Sequence, residues 1–232
     1  MIKKSTFFLL LMIVFTGQVL PQTAGGSIML GFPQGDFKEN VDRLGYGLQF
    51  HGTLWSPNKL KPITVGANIG YLIYGEERES RRFSLTIPDV TVDVSRTNSI
   101  FNFHLLVQIS PFTGTWRPYL EALGGGAYIS TSTSIESEWD IANDIATSTN
   151  FDDFTWSYGG GAGLLIKIGE GLGDITSLYL DLKGRYLFGT KAEYLAEGSI
   201  TIDETNGNVY YDVLKSTTDL VTIHLGVVAY FN

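Results

Sequence analysis

Residues Leu220–Phe231 read Leu-Val-Thr-Ile-His-Leu-Gly-Val-Val-Ala-Tyr-Phe and alternate with a strict period of two. Val221, Ile223, Leu225, Val227, Ala229 and Phe231 fall on one face; Thr222, His224, Gly226, Val228 and Tyr230 fall on the other. That period is a strand. One wholly apolar face and one mostly polar face suit a wall between lipid and a wet interior. Only Asn232 follows, so the expectation is a closed barrel whose last strand returns to pair with its first.

The N-terminal residues 1–24 read as a signal peptide. Lys3 and Lys4 precede the apolar run Phe7–Phe15, and Gly17 and then Pro21, Gln22, Thr23 and Ala24 follow it. This is the order of basic, apolar and polar regions in a secretory leader. The run is too short for a spanning helix, which needs about twenty residues. Cleavage after Gly17 and cleavage after Ala24 both remain open, and residues 25–232 are expected to form one barrel domain. The chain has no cysteine, so neither a lipid anchor on cysteine nor a disulfide framework is available. Its formal charge of −8 offers no basic surface for nucleic acid.

Eight alternating segments are legible: Ser27–Phe32, Gly45–Trp55, Ile63–Tyr74, Ile100–Phe112, Pro118–Ile129, Trp156–Ile168, Ser177–Gly189 and Leu220–Phe231. The connections Ser56–Pro62, Thr113–Arg117 and Gly169–Thr176 are short. Pro33–Leu44, Gly75–Ser99, Ser130–Thr155 and Thr190–Asp219 are long. Short turns at one end and long loops at the other are the asymmetry of a transmembrane barrel. The faces agree. Leu178, Leu180, Leu182, Tyr186 and Phe188 oppose Tyr179, Asp181, Lys183 and Arg185, and Phe101, Phe103, Leu105, Val107 and Ile109 oppose Asn102, His104, Gln108 and Ser110. A soluble eight-stranded barrel would have to hold these large apolar faces inside, where there is barely room. The expected fold is therefore an all-β, eight-stranded, antiparallel up-and-down transmembrane barrel. Of the 24 acidic residues, 20 lie in the long loops, which makes one end strongly acidic. Aromatic residues gather near both expected rims, where their rings favour the headgroup level.

The chain resembles the small outer-membrane β-barrel proteins of Gram-negative envelopes, of the OmpX and OmpA-transmembrane-domain type. The resemblance is carried by Gly31-Phe32-Pro33-Gln34-Gly35-Asp36-Phe37, by Lys191-Ala192-Glu193-Tyr194-Leu195 and by the terminal strand. The assembly signal of that family is a polar residue, a glycine two later, and hydrophobic residues five and seven after the first. These fall on His224, Gly226, Ala229 and Phe231. Ala229 stands where the family favours an aromatic, and Asn232 follows the final Phe231. The resemblance implies an outer-membrane location, outer-membrane lipid as surroundings and the barrel assembly machinery as a partner during biogenesis. It implies no activity, because such barrels host unrelated functions.

Five interior residues, Glu121, Lys167, Asp181, Lys183 and Arg185, read as a mixed-charge network that plugs the lumen; a narrow selective pore is the alternative. Inward glycines, among them Gly161 and Gly163, would leave room for Arg185 and Tyr179 to lie across. His51, His104 and His224 also face inward. Three imidazoles are a chemically reasonable metal set, set against the plainer reading that each is a hydrogen-bonded member of a polar interior. No cofactor is expected.

Two long loops read as hairpins: Arg82–Ser95 turning at Pro88-Asp89, and Ser199–Leu214 turning at Asn206-Gly207-Asn208. Their edges would offer pairing sites to an extracellular protein. The leading function is thus a non-enzymatic envelope barrel that displays its loops. A small-solute transporter and a subunit of a secretion or surface-assembly machine are alternatives. A lipid-modifying enzyme has least support, because no nucleophile–base pair is visible near the outer rim.

Overall fold

The structure, a computed structural model, describes residues 22–84, 87–137, 140–202 and 208–231. Eight antiparallel strands form the barrel: β1 (Thr23–Pro33), β2 (Gly45–Thr53), β3 (Ile63–Ser84), β4 (Ile87–Ile109), β5 (Trp116–Ser137), β6 (Asp140–Leu172), β7 (Ile175–Gly189) and β12 (Leu220–Phe231). Four short strands lie between β7 and β12: β8 (Lys191–Tyr194), β9 (Ile200–Ile202), β10 (Val209–Tyr211) and β11 (Leu214–Thr217). Around the wall the order is β1-β12-β7-β6-β5-β4-β3-β2. The ring closes where β1 meets β12 in continuous register from Thr23↔Tyr230 to Pro33↔Leu220, and β1 meets β2 on its other side. Closure leaves the barrel itself without a sheet edge.

Alternation decides the two faces. On β4, Leu105 is 75% exposed on the outside and its neighbour Leu106 is 1% exposed inside. The same alternation leaves Leu48, Phe50, Ile69, Leu120, Leu182 and Leu225 exposed on the outer wall and Gln49, Asn68, Glu121, Lys183 and His224 buried in the lumen. At the long-loop end the belt finishes in an aromatic row, Tyr71–Phe101–Tyr128–Phe154, whose members pair directly across four strands. At the other end stand Phe112 and Trp116, both exposed. Between the two, the outward apolar residues of β4 run from Phe101 to Ile109. That is about the nine to eleven residues a tilted strand needs to cross a bilayer.

Above the aromatic row the wall does not end. β3 pairs with β4 through Glu76↔Thr97 and Ser80↔Asp93 up to Ser84↔Ile87. β4 pairs with β5 up to Val92↔Ser137, and β5 with β6 up to Ser137↔Asp140. Four strands thus continue as one projecting sheet. The hairpin read over Arg82–Ser95 is present, but Ser84 pairs with Ile87, so Pro88 and Asp89 are inside β4 and not at its tip. The segment read as the loop Ser130–Thr155, for want of apolar alternation, is mostly strand: its runs of threonine and serine suit a ladder. The fourth loop forms two separate ladders, β8 with β11 and β9 with β10. The tip read at Asn206-Gly207-Asn208 falls largely outside the described residues, as do residues 1–21 of the leader.

The first long loop carries one helical turn, α1 (Gly35–Asn40), entered at Gly35 with φ of +54°. So short a helix is held by packing, not by propensity. Phe37 is fully buried, edge-on to Tyr74 (ring centroids 5.6 Å apart) and Tyr194 (5.1 Å). Asn40 Nδ2 donates to the Tyr194 hydroxyl at 2.9 Å, and Tyr74 donates to the Leu195 carbonyl at 3.1 Å. The two loop stretches that carry the family resemblance therefore meet over the barrel mouth.

Candidate functional site

Strand β7 passes through every layer of the lumen, because its inward residues are in order Tyr179, Asp181, Lys183, Arg185 and Leu187. At the short-turn end Tyr179 packs with Tyr230, ring centroids 4.9 Å apart. The Arg117 guanidinium lies 4.7 Å from the Tyr230 ring centre and 5.4 Å from that of Tyr179. It donates to the carbonyls of Phe112 and Pro57, closing that mouth. By sequence Arg117 ends the turn Thr113–Arg117; in the structure β5 already begins at Trp116, and this turns Arg117 into the lumen.

In the middle layer Arg185 donates to both carboxylate oxygens of Glu121 and to Gln49 Oε1 and Asn68 Oδ1, the last two at 3.0 Å. Asp181 takes a bond from the Tyr119 hydroxyl at 2.6 Å, and Lys183 Nζ lies 3.0 Å from its other oxygen. Both ion pairs are buried. Charges taken from water need such partners on every lone pair and proton. Four of the five charged residues named from sequence are thus brought together. Lys167 is not. It lies near the short-turn end and pairs with Glu170, half-way to solvent, because the strand continues past Lys167 and carries it out of the lumen centre. Gln49, Asn68 and Tyr119 complete the network and were not singled out. The space made by glycine is used as well: a Cβ on Gly161 would sit 2.8 Å from Arg185 Cγ, and one on Gly163 would meet the ring of Tyr119, not Tyr179.

The three histidines face the lumen but do not form one ligand set. His104 Nε2 lies 3.0 Å from Ser157 Oγ, and His224 Nε2 lies 2.8 Å from Thr222 Oγ1. His51 Nδ1 is 3.3 Å from Gln49 Nε2 and 3.4 Å from Lys183 Nζ. No group of three or more metal-capable side chains occurs among the described residues. The contact between Ser157 and His104 is a nucleophile–base pairing that the sequence did not reveal. Both residues are buried in the lumen, and His104 Nδ1 has no hydrogen-bond partner to orient it. Catalytic geometry would require that third group and a path for substrate.

The outer half of the lumen overturns another expectation, that the interior is polar throughout. Met29, Leu72, Ile100, Leu106, Leu123, Ile129, Leu187 and Leu220 form an apolar layer under the Phe37–Tyr74–Tyr194 cap. It is filled: the cavity lined by Ile100, Asn102, Ser157, Leu187 and Leu220 is about 10 Å³, room for a single water. Above the cap, Lys215 Nζ pairs with Glu193 Oε1 at 2.9 Å, and this bond raises the lysine above its ordinary pKa.

An apolar outer belt, aromatic rims, an occluded lumen and a projecting sheet define a membrane-spanning barrel. Solved structures similar to the chain include these three. One is Ail, the attachment invasion locus protein of Yersinia pestis, solved in complex with the heparin analogue sucrose octasulfate; the identity is 11%, 90% of this chain and 97% of that chain are covered, and the TM-score is 0.41. The second is Neisserial surface protein A, at 11% identity, 90% and 96% coverage and a TM-score of 0.41. The third is a major outer membrane protein of Thermus thermophilus, at 13% identity, 90% and 99% coverage and a TM-score of 0.41. No family model matches, and no curated protein matches. At these likenesses the eight-stranded barrel is established by the chain's own strand pairing.

Proposed function

We propose that this protein is a non-enzymatic outer-membrane barrel that holds its projecting β3–β6 sheet at the cell surface for a protein partner to pair with. The observation that carries the reading is the pair of open edges above the membrane. β3 has its partner β2 only from Gly66 to Ile73, so Gly75–Ser84 is paired on one side. β6 meets β7 only from Ser157 onward; just above, Thr190 and Glu193 bond to Trp156, Thr155 and Asp153, and beyond them the described part of β6 has β5 as its strand partner. Unpaired strand edges are templates for an added strand. Occlusion of the lumen by two buried ion pairs and an apolar layer speaks against a pore or transporter as the main role. Burial of Ser157 and His104 speaks against an enzyme. Leader cleavage after Gly17 keeps the N-terminal strand whole, whereas cleavage after Ala24 would remove Thr23, which bonds to Thr53 at 2.6 Å, and Gln22, whose carbonyl accepts from Phe231 N at 2.8 Å.

The test trims the sheet. Residues 78–95 and 133–148 are each replaced by a two-residue hairpin turn, and full and trimmed chains are expressed on Gram-negative cells. Both should reach the outer membrane and migrate differently before and after boiling, with a mature N-terminus at Gln18. Only cells with the full chain should be retained on protein-coated surfaces. Equal retention by both would contradict the reading.

A further inference from the structure

The fourth long loop carries a hairpin, β9 with β10, that takes no part in the barrel wall. Its root is fixed. Ala196 and Leu214 pack against the apolar cluster that includes Phe37, Tyr74 and Tyr194. The chain turns at Gly198, with φ of +80°, and Ala196 N donates to Ser199 Oγ at 3.1 Å. Asp212 N then donates to the Ser199 carbonyl at 2.8 Å, which ties the two arms together. Above that root the ribbon has two strands, so β10 is paired with β9 on one side and open on the other. Tyr210 stands opposite Thr201, and Tyr211 opposite Ile200. Val209, Tyr210, Tyr211 and Val213 are each between 40% and 56% exposed. Single exposed apolar residues are ordinary, but a contiguous run of them marks a surface that binds something. Tyrosine is among the side chains that protein interfaces favour.

Charge decides what covers this ribbon. Residues 196–214 contain Glu197, Asp203, Glu204 and Asp212 and no lysine or arginine. At the root Glu197 pairs with Arg43, and Lys215, the next cation along the chain, is held by Glu193. Asp212 is exposed beside Tyr211. We propose that the β9–β10 hairpin is a docking site for a cationic, extended segment of another protein, its backbone added to the open edge of β10 and its Lys or Arg side chains lying over Tyr210 and Tyr211. Strand addition supplies main-chain hydrogen bonds and leaves alternate side chains to set specificity. A cation over a tyrosine face is attracted by the quadrupole of the ring. A second copy of this chain would bring the same acidic ribbon and be repelled. Nor is the bilayer the cover, because the root stands on the cap of the barrel, beyond the lipid-facing belt. A two-stranded ribbon is marginal in water, so a third strand also stabilises the hairpin. The site rests on the surface display of the long loops proposed above, but not on the edges of the β3–β6 sheet.

The full chain is folded in mild detergent, checked by heat-modifiable migration, and titrated against a fluorescent peptide of alternating arginine and threonine. Binding is read by anisotropy. This peptide should bind, and one of alternating glutamate and threonine should not. Tyr210→Ser with Tyr211→Ser changes no charge and should weaken Kd about tenfold, the order that two exposed cation–π contacts give. Glu39→Gln, which removes an exposed carboxylate from α1, should leave Kd unchanged. The chain trimmed at residues 78–95 should bind as the parent does. If full and trimmed chains are also retained equally on protein-coated surfaces, the projecting-sheet reading fails and the hairpin site stands. No binding of the arginine peptide, equal binding of both peptides, or an unchanged Kd in the tyrosine double variant would overturn the site. So would a dimer of the parent chain that the tyrosine substitutions dissolve, which would put a second copy on the hairpin. Binding that is lost in phosphatidylcholine vesicles with the loops outward would put the bilayer there and overturn it equally.

Discussion

Arg185 is the residue on which the lumen depends. Its guanidinium satisfies Glu121, Gln49 and Asn68 at once, from three other strands of the wall. Truncation would leave the Glu121 carboxylate buried with no counter-charge, a loss of about 3–5 kcal/mol for pairs of this kind. Arg185→Ala is therefore expected to lower the urea midpoint of the folded barrel sharply. Lys167→Ala should scarcely move it, because Lys167 pairs with an exposed Glu170 and exposed pairs contribute little. Similar midpoints for the two variants would count against a central network. Charge and alternation made four members of that network legible in the sequence, since β7 carries Asp181, Lys183 and Arg185 in step. Gln49, Asn68 and Tyr119 were harder to read, because an uncharged polar side chain on an inward face does not reveal which partner it reaches across the lumen.

At the level of single elements, β12 closes the wall and tolerates little. Gly226 faces Ser27 across the seam, and a Cβ there would lie 2.2 Å from the Gly26 carbonyl oxygen and 2.4 Å from Ser27 Cβ. Neither atom belongs to a flexible side-chain end, so the two strands would have to separate. Phe231 sits at the last pair of the strand, bonded through its N–H to Gln22. Phe231→Ala combined with Gly226→Asp is expected to cut outer-membrane levels severely and leave precursor open to periplasmic proteases, measured by fractionation and immunoblot. Asn206→Ser, in the segment between β9 and β10, should leave levels as in the parent; equal levels for all would show that β12 does not carry the assembly signal. Barrel strands were legible because lipid on one side and polar groups on the other impose period two. The extensions of β3–β6 were less so. Above the membrane neither face meets lipid, the alternation fades, and Thr131–Ser134 or Thr147–Thr149 read as loop although they are paired strand. The apolar layer was missed for a related reason: Ile100, Leu106, Leu187 and Leu220 interrupt otherwise polar inward faces, and such interruptions carry no label of depth.

Taken whole, the molecule separates its tasks by height. Arg117 and the tyrosines close the short-turn mouth, the ion pairs and the apolar layer fill the bore, and Phe37 with Tyr194 caps it. What remains accessible is the outer surface, above all the projecting sheet. This arrangement requires Leu105 to face hydrocarbon, Leu106 to face a packed lumen and Ser148 to stand in water. The chain has no cysteine of its own, so single cysteines can report each position. Leu105→Cys, Leu106→Cys and Ser148→Cys, inserted in vesicles with the loops outward, are treated with a membrane-impermeant maleimide. The account predicts rapid labelling at Ser148→Cys and none at the other two until the barrel is unfolded. Labelling of Leu105→Cys in the folded, vesicle-bound protein would put that face in water and contradict the membrane-spanning barrel.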